Sequence, residues 1–166
     1  MNTQSVLLDS LESDEKAMTN KLESSQDRFV FFLKKWKTKI RNKEEGKLLL
    51  LNKNKQLITM YTIEKEHHLN IINPIKIVQL ATENKASSII VAQNRINGEI
   101  VPDYSEIEEF REFVSSLDPK GFTITDYIIM SSNGYCSFKD NNFFVDLEID
   151  LSKNREPHNL PTFEPA

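Results

Sequence analysis

A chain of 166 residues, 39% of them hydrophobic, supports one domain with a real core and is too short to suggest two. Its formal net charge of -4 gives no general pull toward nucleic acid or an anionic membrane, so only local basic patches stay open. Cys136, the only cysteine, excludes an intramolecular disulfide and the usual cysteine-based zinc sites, which fits a cytoplasmic setting.

Residues 1–25 are rich in Ser, Asp, Glu and Asn and carry no signal-peptide pattern, so they are expected to form a weakly ordered arm. The domain is expected over residues 26–151 and a tail over 152–166. No run is apolar enough to span a bilayer, which predicts a soluble protein.

From Gln26 onward Phe29, Phe32, Leu33, Trp36 and Ile40 recur at helical spacing, predicting an amphipathic helix that packs its aromatic side on a sheet. Lys34, Lys35, Lys37 and Lys39 read first as a solvated face. A nucleic-acid patch over Lys34 to Lys43 is the competing reading, and Glu44 and Glu45 directly after it weigh against it. Lys47 to Asn52 reads as a strand buried on both faces, joined by a tight turn to a second strand over Gln56 to Thr62. His67 and His68 lie in a polar stretch and are expected to be exposed.

Asn73 and Pro74 supply an N-cap and a first-turn proline to a helix ending near Asn84, with Ile75, Val78, Ala81 and Ala86 expected on its inner side. Ser87 to Ala92 is the central strand, and it runs into a polar loop over Gln93 to Pro102. A helix follows over Ser105 to Leu117, with Ile107, Phe110, Val114 and Leu117 inward. Asp103 and Glu106 have the spacing of a capping box at its start. Phe122 to Met130 and Tyr135 to Phe138 read as a hairpin, and Phe143 to Leu151 as an added edge strand. Cys136, inside a strand, reads as a buried and inert thiol.

The Gln93 to Glu106 stretch resembles the core of the RadC family, proteins with a JAB/MPN-type metalloprotease fold. In that family a strand ends in His-x-His-Pro-Ser-Gly, and Pro-Ser-x-x-Asp follows, the two His and the Asp holding zinc. Laid on this chain without a gap, the His positions fall on Gln93 and Arg95, the Ser on Asp103 and the Asp on Glu106, while Asn94, Gly98 and Pro102 match. Thr125 to Ile129, which includes Asp126, and Gly134 to Phe138 are similar to two further family stretches. The resemblance places Glu44 at the general acid/base position. It implies an α/β, three-layer, cytidine-deaminase-like domain with a central mixed sheet flanked by helices.

What the resemblance implies for activity is then altered by the substitutions. A catalytic zinc needs about three N, S or O ligands and an open position. Gln93 offers a neutral amide oxygen, and the guanidinium of Arg95 has no lone pair to give. The expectation is a pseudoenzyme without cofactor, acting through a protein partner or peptide segment, with Arg95 paired to both Glu44 and Glu106. Three other readings stay open: an enzyme using zinc, or magnesium or manganese on Gln93, Glu106 and Glu44; a DNA-repair-associated factor, after the family's traditional label; and a homodimer.

Overall fold

The computed structural model describes residues 6–16, 22–117, 120–144 and 163–165. Strands β1 (Val6–Asp9), β2 (Glu45–Leu51), β3 (Leu57–Glu64), β4 (Ser88–Asn94), β5 (Thr123–Ser131), β6 (Gly134–Ser137) and β7 (Phe163–Pro165) form one seven-stranded sheet in the order β1-β3-β2-β4-β5-β6-β7. Only β4 and β5 are parallel; the remaining neighbours are antiparallel, which makes the sheet mixed. The helices are α1 (Ser13–Lys16), α2 (Ser25–Trp36), α3 (Pro74–Glu83) and α4 (Tyr104–Ser115), and a 3-10 turn, Lys37–Arg41, extends α2.

The apolar run in β2 explains why the sheet is covered on both sides. Successive side chains of a strand point to opposite faces. Leu48 and Leu50 therefore enter one core, with Ile77, Ala81, Ile107 and Phe110 from α3 and α4. Leu49 and Leu51 enter the other, with Phe29, Phe32 and Trp36 from α2. Burial of each such leucine is worth about 1.5–3 kcal/mol, so the strand holds both helical layers to itself. The α/β, three-layer expectation is met.

The ends of α2 and α3 follow their capping residues. The Ser24 hydroxyl accepts from the Asp27 amide at 3.0 Å, and the Asn73 side chain accepts from the Ile75 amide at 3.0 Å. On the inner side of α3 Val78, Ala81 and Ala86 meet the core as expected, but Ile75 is corrected: it is 77% exposed, and Ile77 makes the contact in its place. Pro74 starts the helix, so Ile75 falls in its first turn. In α4, Ile107 and Phe110 are buried as expected, Val114 is half-buried against the same core, Phe113 is buried in addition, and Leu117 is buried just past the end of the helix.

Both ends of the sheet differ from the sequence reading. Residues 6–9, expected in a weakly ordered arm, form β1 and pair with β3 from Val6 opposite Ile63 to Asp9 opposite Met60. An otherwise open edge of β3 accounts for this, because its unpaired amides and carbonyls offer a partner to a nearby extended segment. Asp9 is then fixed by Lys47 at 3.4 Å and by the Thr62 hydroxyl. At the far edge the added strand expected over Phe143 to Leu151 is not seen in its first two residues. Phe143 and Phe144 lie in a turn, with Phe143 in the core, and residues 145–151 lie outside the described residues. The edge partner of β6 is β7, from the segment expected as a tail, and three residues are too few to show a period in the sequence. Among the described residues no helix is long and apolar enough to cross a membrane.

Gly46 sets how closely the β3–α3 connection can lie on the sheet. It pairs with Gln93, and a Cβ added there would stand 2.4 Å from Ile72 Cγ1. Gly46→Ala is expected to cost about 1–3 kcal/mol by urea denaturation, as overpacked sites do. Adding Ile72→Ala should recover part of that loss, a non-additivity expected only of groups in contact.

Candidate functional site

The C-terminal end of β4 and the N-terminal end of α4 meet in an open cleft of about 220 Å³. Glu44, Gln93, Arg95 and Glu106 line it, as the sequence reading expects, and Lys65, Asn70 and Asn97 join them. Alternation along β4 sends Gln93 to the α4 side and Asn94 to the α2 side.

Arg95 and Glu106 form an ion pair at the floor of the cleft, with side chains only 14% and 10% exposed. The second terminal nitrogen of Arg95 donates to the Glu99 carbonyl at 3.2 Å, and its amide donates to Met130 O at 2.8 Å. Glu106 divides its oxygens. One holds Arg95, and the other accepts from the Asp103 amide at 3.1 Å. The Asp103 carboxylate in return accepts from the Glu106 amide at 2.9 Å and the Ser105 hydroxyl at 2.8 Å. That is a complete capping box on α4. The Glu106 amide first, then the Ser105 hydroxyl, hold the Asp103 carboxyl below its usual range.

Glu44 corrects the expectation that Arg95 pairs with both acids. Its carboxylate accepts from the Ile96 amide at 3.1 Å, and among the described residues Arg95 has no carboxylate partner but Glu106. The other terminal nitrogen of Arg95 serves the Glu99 carbonyl. Gly98, at φ 79°, closes this turn in a conformation that side-chain-bearing residues rarely adopt.

Gln93 is fully buried and its amide is spoken for. Its carbonyl oxygen accepts from the Tyr127 hydroxyl, and its nitrogen donates to Asn70 O at 3.5 Å. The Tyr127 oxygen accepts in turn from the Ile72 amide at 3.0 Å. Burial pushes the Tyr127 phenol well above its ordinary value. On the same side Glu109 of α4 accepts from the amides of Asn70 and Ile71 at 3.2 and 3.3 Å. Asn94 acts from the other face: it accepts from the Glu45 amide at 2.8 Å and donates to the carbonyls of Ile40 and Lys43 at 2.7 and 2.9 Å. It fixes the approach to β2, which carries Glu44.

Lys65 is among the residues that sequence reasoning missed, with Asn70, Asn97 and Glu109. Its ammonium donates to the carbonyls of Glu66, at 3.2 Å, and Leu69. Burial pulls its pKa down first, Arg95 adds to that, and Glu44, Glu106 and Glu109 oppose it. A lysine in a polar stretch after a strand gives no sign in the sequence that it turns back toward a cleft.

Asp126, expected to support the site, belongs elsewhere. It is buried on the opposite face of the sheet, paired with Arg28 at 3.0 Å and accepting from Ser137 Oγ at 2.8 Å and the Lys139 amide at 3.1 Å. Burial raises its carboxyl, and the Ser137, Lys139 and Arg28 donors offset part of that. A bulge in the β4–β5 register between Ile89 and Ile90 accompanies its turn toward α2. Cys136 is buried, and its thiol is pushed up to about 12, chiefly by burial. His67 and His68 are exposed. Of the lysine face, Lys34, Lys37, Lys39 and Lys43 are exposed, while Lys35 pairs with Glu15 at 2.7 Å.

These residues do not fit the zinc that the resemblance implies. Among the described residues no group of three or more His, Cys, Asp or Glu side chains could hold a metal ion. The buried Gln93 oxygen accepts from Tyr127, both Glu106 oxygens are engaged, and two cationic side chains already line the cleft. The same engagements stand against magnesium or manganese on Gln93, Glu106 and Glu44.

Comparisons with known proteins give the family of the chain. The model of the family described as "RadC-like JAB domain" matches residues 22–143. A UPF0758 protein of Syntrophomonas wolfei is 29% identical over 99 residues, covering 59% of this chain and 42% of that protein. One from Caldanaerobacter subterraneus is 26% identical over 104 residues, 62% of this chain and 45% of the relative. One from Finegoldia magna is 32% identical over 101 residues, 58% and 44%. The chain thus matches less than half the length of these relatives.

Two substitutions test the network. Tyr127→Phe leaves the Gln93 oxygen and the Ile72 amide without their partner, and is expected to cost about 1–3 kcal/mol in urea denaturation. At Asp103 the depressed carboxyl adds stability that is complete above the unfolded value of about 3.9 and is lost as pH falls through the folded one. Asp103→Asn should therefore flatten the acid limb of a stability–pH profile measured by thermal unfolding; an unchanged limb would show that the box contributes nothing there.

Proposed function

The chain belongs to the RadC-like JAB domain family, and from that premise we propose that it is a non-hydrolytic member that acts by binding a protein or peptide partner. The observation that carries this reading is the Arg95–Glu106 ion pair, which puts a guanidinium at one of the positions aligned with the family's metal ligands. Without the ion nothing lowers the pKa of a water or polarises a carbonyl. Glu44 keeps its place but spends its carboxylate on the Ile96 amide. A neutral pair of protein groups takes over the electrostatic work of the metal, because a carboxylate buried without a cation would be strongly destabilising.

Binding is supported by what the cleft still offers. The resemblance implies a groove beside the former metal site that receives an extended segment. Here Asn70, Asn97 and Lys65 line that place with donors and acceptors suited to peptide groups. A cytoplasmic partner suits a chain whose one thiol is buried and unpaired.

The test is metal content by mass spectrometry on protein purified without chelator, followed by calorimetric titration with zinc, magnesium and manganese. The expected result is neither bound metal nor binding heat. Stoichiometric metal that disappears in Glu106→Ala or Glu44→Ala would overturn the reading and make this a hydrolase with an altered ligand set.

A further inference from the structure

A second cavity, of about 290 Å³, opens on the α2 side of the sheet at the beginning of β4. Ser88 and Ile90 of β4 line it, whereas the cleft around Arg95 lies past the other end of that strand and on its other face. Six residue steps along a strand separate Ser88 from Asn94, about 20 Å. The two cavities are therefore independent.

The lining has two parts. Leu22, Leu51 and Ile90 make an apolar wall. Facing it are the hydroxyls of Ser88 and Thr125, neither of which has a hydrogen-bond partner among the described residues. At the rim stand Lys55 and Lys139, whose ammonium groups make no ion pair among the described residues. Deeper lies Arg28, with a side chain only 6% exposed. Its guanidinium has five N–H donors. Three bonds are made, one each from Nε to Leu22 O, Nη1 to Asp126 and Nη2 to Glu23 O, which leaves the second hydrogen on each terminal nitrogen.

The charges select the ligand. Asp126 already neutralises Arg28, and Glu23 offsets one of the two lysines, so a single positive charge remains. One excess cation suits a monoanion and is too little for a phosphate dianion. We propose that this cavity binds a carboxylate carried on a short branched aliphatic body, with the carboxylate among Lys55, Lys139 and the free Arg28 hydrogens and the body against Leu51 and Ile90. The carboxylate can come from a free aliphatic acid or from the C-terminus of a peptide ending in an aliphatic residue.

The test is NMR titration of the whole chain with 4-methylpentanoate, its amide, inorganic phosphate, and the tripeptide Ala-Ala-Leu with a free or an amidated C-terminus. Saturable shifts at Ser88 and Thr125 are expected with 4-methylpentanoate and not with its amide. Binding by the free tripeptide as well identifies a chain terminus as a ligand, and binding by the acid alone identifies a small molecule. Lys139→Gln and Lys55→Gln, both exposed positions that leave the fold intact, should each weaken binding about fivefold. Equal binding of acid and amide, preference for phosphate, or no saturable shift would overturn the proposal. None of these outcomes bears on the metal titration, since Arg95 and Glu106 lie outside the cavity.

Discussion

The hydroxyl of Tyr127 is the point on which the site depends. Wholly buried, it donates to Gln93 and accepts from the Ile72 amide, and so ties the central strand to the connection that crosses above it. An unpaired polar group at such depth would cost about 1–3 kcal/mol, so each of the three groups constrains the other two. Gly46 makes the arrangement sterically feasible by leaving room for Ile72, and Glu109 holds the same connection from α4. The Gln93 amide is thereby turned inward. That side chain is part of the scaffold.

Charge is handled the same way at both ends of the sheet. Arg95 with Glu106, and Arg28 with Asp126, each place a guanidinium against a buried carboxylate and spend the spare donors on backbone carbonyls. Buried pairs of this kind roughly break even in stability, but losing one partner is expensive. Their effect is to fix geometry. The first pair lies at the floor of its cleft, and the second is neutral beside a cavity whose positive excess comes from Lys55 and Lys139.

Much of this was legible in the residues. The run Leu48 to Leu51, the helical spacing of Phe29, Phe32 and Trp36, the Asn73-Pro74 start and the Asp103–Glu106 box each record a local rule, and each was found in place. What escaped depended on distance. Val6 to Asp9 pairs with a strand some fifty residues on, Ile75 faces outward in the first turn of α3, and Asp126 turns away at a register bulge. Lys65 and Glu109 have no motif at all, and only the folded chain brings them beside Arg95 or Ile71. The pairing of Arg95 with Glu106 followed from aligned positions, but the diversion of Glu44 to the Ile96 amide required knowing the course of the backbone after β4.

The double duty of Glu106 makes its place in the fold independent of its partner. Because one of its oxygens accepts from the Asp103 amide at the start of α4, the carboxylate is held by the helix whether or not Arg95 is there. Removing the guanidinium would therefore leave an anchored acid with one unpaired oxygen at the floor of the cleft, open to whatever cation reaches it.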